Sequence, residues 1–204
     1  MTISTISAMF ISMLVLAAIP GASVIAVVSR TVSAGLNHGI YTVVGIVLGD
    51  ILFILIAVYG LSMIAENQEY WFILMKYLGG IYLIWLGISL WRSTSKIINV
   101  ESVCKPSWSS SLLCGLTITL GDQKAIFFYL GFFPAFVDMA QIEGSDVMLI
   151  ILIAALSISS AKLTYAYIAD KSKILFTSSS MIKVINILAS VVFILTGAVL
   201  ITQA

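Results

Sequence analysis

Six apolar stretches, each about long enough to cross a bilayer, leave this chain few folds to choose from. They run roughly Ser4–Val28, Gly39–Ile64, Trp71–Trp91, Leu112–Val137, Val147–Ala169 and Val184–Ile201. A helix needs about twenty apolar residues to span the hydrocarbon layer. Composition points the same way: 61% of the 204 residues are hydrophobic and 9% are charged, where a soluble domain carries about a quarter charged. The expectation is an all-α integral membrane protein with six transmembrane helices. A net charge of +1 without a basic patch gives no sign of a nucleic-acid partner. The first basic residue is Arg30, so the N-terminus lacks the charged region of a cleavable signal peptide and the first stretch reads as a mature span. Cys104 and Cys114 fit the spacing of neither a redox pair nor a zinc site. They read as free thiols, with metal binding as the alternative.

The connections are short except for a serine-rich segment over 93–111. That segment divides one transporter domain into halves of three spans each, about 4–92 and 112–204. Basic residues sort by loop. Arg30, Arg92, Lys96, Lys105, Lys171, Lys173 and Lys183 fall in the first, third and fifth connections, while the second and fourth hold Glu66, Glu69, Asp138, Glu143 and Asp146. By the positive-inside rule the odd connections are cytoplasmic. Both termini then lie outside, on the periplasmic face of a bacterial inner membrane. Three spans plus three give the halves opposite orientations, the topology of an inverted repeat with a binding site near the midplane. No strong residue-level repeat accompanies it.

Several polar groups stand at membrane depth. Asp122 and Lys124 lie midway along the fourth stretch, where either charge costs roughly 2.5–3.5 kcal/mol on insertion scales. Two residues apart on a regular helix, they point to nearly opposite sides. Both line one cavity only if the helix unwinds beside Gly121, so a break is expected over Gly121–Gln123. In the first span Pro20-Gly21 predicts a matching break, because proline lacks a donor and clashes with the Leu16 carbonyl; Ser23 follows it. In the second span Asp50 shares a helical face with Gly39, Val43, Ile46 and Ala57, while Gly45 and Gly49 form a GxxxG pair suited to seating a neighbouring helix and leave room for a homodimer. Lys76 and Lys162 read as side chains that snorkel to the interface. Ser157, Ser160 and Thr164 form a small polar stripe, Asn186 reads as an interhelical hydrogen bond, and His38 as interfacial.

The order Pro20-Gly21-Ala22, Ser29-Arg30, Gly35, Gly39, Gly45 and Gly49-Asp50 resembles the first two spans of the LysE/RhtB amino-acid exporters. Lys76-Tyr77-Leu78-Gly79-Gly80, with Tyr82-Leu83 and Gly87, is similar to that family's third span. Asp122-Gln123-Lys124-Ala125 and Phe132-Phe133-Pro134-Ala135-Phe136 resemble its N-P-K-A and F-F-P-x-F segments. Two positions depart: Ala22 stands where the family has a second proline, and Asp122-Gln123 where it has Asn-Pro. The resemblance implies a secondary exporter of amino acids or related small metabolites, driven by protons, and not an enzyme. It implies no cofactor. The nearest alternative is a cation or heavy-metal exporter on the same scaffold, although one histidine and two cysteines are few for a soft metal. The residues expected to touch substrate are Pro20, Gly21, Ser23, Asp50, Gly121, Asp122, Gln123 and Lys124, with Asp50 and Asp122 as candidates for proton exchange. Lys124 and the amide groups of a broken helix suit a substrate carboxylate, and one of the two aspartates its ammonium.

Overall fold

A computed structural model describes residues 3–67, 69–92, 107–137, 141–171 and 179–202. Every long element among them is helical: α1 (Ile3–Ala18), α2 (Ala22–Ala34), α3 (Leu36–Asn67), α4 (Glu69–Arg92), α5 (Trp108–Leu120), α6 (Gln123–Phe132), α7 (Gly144–Lys171) and α8 (Ser179–Thr202). A 3-10 turn over Phe133–Ala135, with Pro134 in it, follows α6. Among the described residues, Leu36–Ser62 of α3 and Gly144–Lys171 of α7 are long and apolar enough to cross a bilayer. Helices α1 and α2 together meet the same measure but meet at 63°. The fourth stretch begins earlier than its apolar run, at Trp108. Ser107 caps that end by accepting the Ser110 amide at 3.2 Å, the usual reason serine starts a helix.

Apolar side chains cover the outside in rows. Val44, Leu48, Leu52 and Ile56 on α3 recur every four residues and are exposed, as are Ile81 and Trp85 on α4, Leu152 and Leu156 on α7, and Leu195 and Val199 on α8. Rows of this size on every long helix suit contact with hydrocarbon rather than water. On α3 the opposite face is interior: Gly39, Val43, Ile46, Asp50 and Ala57 are all buried, as the 100° periodicity of the sequence requires.

Glycine decides where helices approach most closely. A side chain at Gly45 would meet the Leu112 carbonyl of α5, and one at Gly115 the Thr42 carbonyl of α3. At Gly49 it would lie 2.7 Å from Thr119 Cβ. Backbone therefore touches backbone along α3 and α5, as small residues allow in membrane helices. The Gly45/Gly49 face is filled by this chain's own α5 and is closed to a second copy, which corrects the expectation that it leaves room for a homodimer. His38 adds a polar tie at the end of the same interface, with Nδ1 3.0 Å from Ser111 Oγ. Helices α4 and α6 meet similarly at Gly79 and Gly131, and α4 and α8 at Gly80 and Gly197.

Candidate functional site

Two interruptions in the helices open onto one cavity. The first lies between Ala18 and Ala22. Pro20 has no amide hydrogen to give the Leu16 carbonyl, and the Ile19 amide takes that acceptor instead at 3.1 Å. The chain then extends through Gly21 (φ −135°, ψ −166°) and α2 resumes at Ala22. The Ala18 carbonyl, left without the helical donor it would otherwise have, accepts the Tyr165 hydroxyl of α7 at 2.7 Å. Tyr165→Phe is expected to leave that oxygen unsatisfied and cost about 1–3 kcal/mol, read as a lowered thermal midpoint of the purified protein. An unchanged midpoint would show that water replaces the hydroxyl.

The second interruption lies between Leu120 and Gln123. The Asp122 amide donates to the Thr119 carbonyl at 3.0 Å, a tightened turn, and the Asp122 carbonyl accepts the Ala125 amide at 3.0 Å. Gly121 and Asp122 sit exposed in this gap.

Pro20, Gly21, Ser23, Asp50, Gly121 and Asp122 all line the same cavity, of about 640 Å³, within the usual range for a small-molecule site. Six of the eight residues singled out from the sequence are thus brought together. Gln123 and Lys124 open α6, but their side chains lie outside the described residues, as do those of Lys76 and Asn186 and the whole of Cys104. Cys114 is a free thiol. Among the described residues no three His, Cys, Asp or Glu side chains gather as a metal site.

Asp50 is 8% exposed. Its Oδ1 accepts the Tyr129 hydroxyl at 2.9 Å. Tyr129 is held in turn by stacking on Phe133, ring centroids 5.6 Å apart. A buried carboxylate with one neutral donor keeps acceptor capacity unused, and the cavity is where that capacity faces.

Sequence reasoning missed two of these groups. Tyr129 stands seven residues beyond Asp122, two helical turns along the same face, so the spacing did hold a signal. Lys162 corrects the snorkelling expectation: it is 4% exposed, and its Nζ donates to Ser23 Oγ at 2.9 Å. It belongs to the buried stripe of α7 with Ala154, Ser157, Ile158, Ala161 and Ala166, which carries it inward rather than along the lipid face. The small residues of that stripe were the available clue. Ser89 also lines the wall, as does Thr119. The Oγ1 of Thr119 is buried and has no hydrogen-bond partner among the described residues, while its Cβ and Cγ2 are taken up against Gly49.

Known proteins resemble the chain along most of its length. An uncharacterized membrane protein of Synechocystis is 42% identical over 201 residues, covering 98% of this chain and 97% of that protein. A leucine efflux protein of Klebsiella pneumoniae is 29% identical over 123 residues, 59% of this chain and 58% of that protein. A second leucine efflux protein, from Enterobacter, is 27% identical over 134 residues, 65% and 64% of the two chains. No solved structure matches. The LysE type translocator family matches residues 14–204. With apolar rows outside, a cavity holding charged groups within, and a family match over residues 14–204, this membrane protein belongs to the LysE type translocators.

Proposed function

We propose that the protein exports amino acids from the cytoplasm across a bacterial inner membrane, as a secondary transporter working by proton antiport. The observation that carries this reading is the cavity, where two helix interruptions and two carboxylates face the same space. A zwitterion needs an anionic and a cationic partner. Asp122, exposed in the gap before α6, suits the substrate ammonium. Asp50, buried and hydrogen-bonded by Tyr129, suits the proton. Lys124 and the amide groups that open α6 are the carboxylate partners read from the sequence, with Gln123 beside them. The walls add Met13, Leu16, Ile46, Leu86, Ile118 and Ile158, a surface for an aliphatic side chain. Two relatives named leucine efflux proteins favour the same cargo.

In this reading α1 with α2, α3, α4, α5 with α6, α7 and α8 are the six spans, those of the first and fourth being broken. Halves 4–92 and 112–204, joined by the cytoplasmic segment 93–111, form one domain of inverted repeats with both termini periplasmic. Helix pairing supports the symmetry. Exchange of the halves carries α1 to α5, α2 to α6, α3 to α7 and α4 to α8. The contact of α1 with α7 then answers that of α5 with α3, the contact of α2 with α7 answers that of α6 with α3, and the pairs α3 with α7 and α4 with α8 map onto themselves. A homodimer, if formed, would use a face other than Gly45/Gly49.

Cells lacking the gene and fed a leucine-containing dipeptide test the reading. They are expected to hold several-fold more internal leucine than wild type, and to lose the excess when the gene is restored. Equal accumulation across a panel of dipeptides would end the amino-acid reading. In proteoliposomes, efflux is expected to accelerate when protons are supplied on the opposite side from the substrate. Indifference to that gradient would end the antiport.

A further inference from the structure

We propose that Lys162 is the cation that receives the carboxylate of the substrate, and that the site selects for a free carboxylate through it. The proposal rests on the amino-acid reading above and goes beyond it by assigning the carboxylate to α7 rather than to Lys124. An ammonium has three N–H donors. Ser23 Oγ takes one at 2.9 Å, and no other hydrogen-bond acceptor among the described residues engages Lys162. Asp50 and Asp122 act on it through space without a hydrogen bond. A cation 4% exposed whose one hydrogen-bond partner among the described residues is neutral has donors left to satisfy. It lines the cavity, so its unused donors have a space in which an anion can meet them.

A second observation points to a polar ligand in the same cavity. Thr119 belongs to the wall, is 4% exposed, and keeps its Oγ1 without a partner. Buried hydroxyls are nearly always hydrogen-bonded; a bound polar group supplies what this one lacks. Lys162 meets the cavity at one helix interruption, through Ser23, and Thr119 at the other, one residue before α5 ends. A zwitterion laid between them would have its carboxylate at Lys162 and its ammonium toward Asp122, with the aliphatic part against the apolar wall.

The test is competition against tritiated L-leucine bound to the purified full-length protein, with unlabelled L-leucine and L-leucinamide as competitors. The amide keeps the ammonium and side chain but replaces the carboxylate with a neutral group. Wild type is expected to prefer leucine over leucinamide by about 30-fold or more, the worth of a charge-assisted hydrogen bond. Lys162→Gln is expected to bring the two within about threefold, and Lys162→Arg to keep the preference at reduced affinity. The ratio is read within one sample and does not depend on how much of it is folded. If Lys162→Gln binds neither compound, Lys162→Arg decides: preference kept supports the proposal, preference lost overturns it. Full discrimination in Lys162→Gln overturns it, the more so if Lys124→Gln loses discrimination instead. A wild type that binds no amino acid overturns this proposal together with the export reading, which separates the two failures. Thr119→Val is expected to weaken leucine binding several-fold while the thermal midpoint holds or rises. Wild-type affinity there removes the hydroxyl from the site.

Discussion

Asp50→Asn is expected to abolish efflux driven by an imposed proton gradient while sparing exchange of labelled for unlabelled substrate. The amide still accepts the Tyr129 hydroxyl through its oxygen, so the 2.9 Å contact and the fold around it survive. What disappears is a group that can take up and release a proton. Gradient-driven efflux should fall by about 100-fold or more, about 3 kcal/mol, the scale of removing one partner of a buried charged contact. Exchange does not require net proton movement and should persist. Wild-type gradient-driven rates in Asp50→Asn proteoliposomes would remove Asp50 from the coupling. Loss of both activities would instead assign Asp50 to the substrate ammonium and leave Asp122 as the proton carrier.

The largest effect on stability is expected from a single methyl group at Gly45 or Gly115. The atoms such a methyl meets are the Leu112 carbonyl and the Thr42 carbonyl. Backbone has no rotamer to change, so relief requires α3 and α5 to separate along their length. Overpacking commonly costs about 1–3 kcal/mol even where side chains can yield; here the upper end or more is expected. Gly45→Ala and Gly115→Ala should therefore lower the thermal midpoint in detergent by many degrees and reduce the folded yield. A second consequence follows from Gly49 and Thr119, which meet on the same interface. Separation of α3 from α5 also widens the cavity between Asp50 and Asp122, so transport should fall further than folded yield. Melting like wild type in both variants would refute the close approach.

Position along each apolar stretch was legible in the sequence; direction was only partly so. Hydropathy alone marks how far along a span a residue lies, and it marked Asp50, Asp122 and the Pro20-Gly21 pair. The interior face of α3 was also legible, since one helix carries its own period and Asp50 falls on it with Gly39, Val43, Ile46 and Ala57. Gly121 could be singled out because a two-residue spacing cannot serve one cavity on an unbroken helix, and α5 ends at Leu120 beside it. Partners across the fold were not legible. Ser23 and Lys162 are 139 residues apart and Asp50 and Tyr129 are 79 apart. No local pattern states which helices will be neighbours. Lys162 was misjudged for that reason: it lies close enough to a helix end to reach the interface, and only the position of α7 against α1 and α2 turns it inward. The Gly45/Gly49 pair was read correctly as a seat for a helix, but the occupant belongs to the same chain.

Tyr165 and Lys162 stand about one turn apart on α7 and grip opposite sides of the same gap, the end of α1 and the first turn of α2. A joint attached at both ends to one stiff rod does not swing freely. Its 63° angle changes only if α7 travels with it or one of the two grips lets go. The grips are unequal. Tyr165 holds a neutral carbonyl, whereas Lys162 holds Ser23 with a charge. On the carboxylate assignment proposed for Lys162, the substrate draws on the same ammonium that holds Ser23, and the joint becomes a fixed pivot beside a releasable catch.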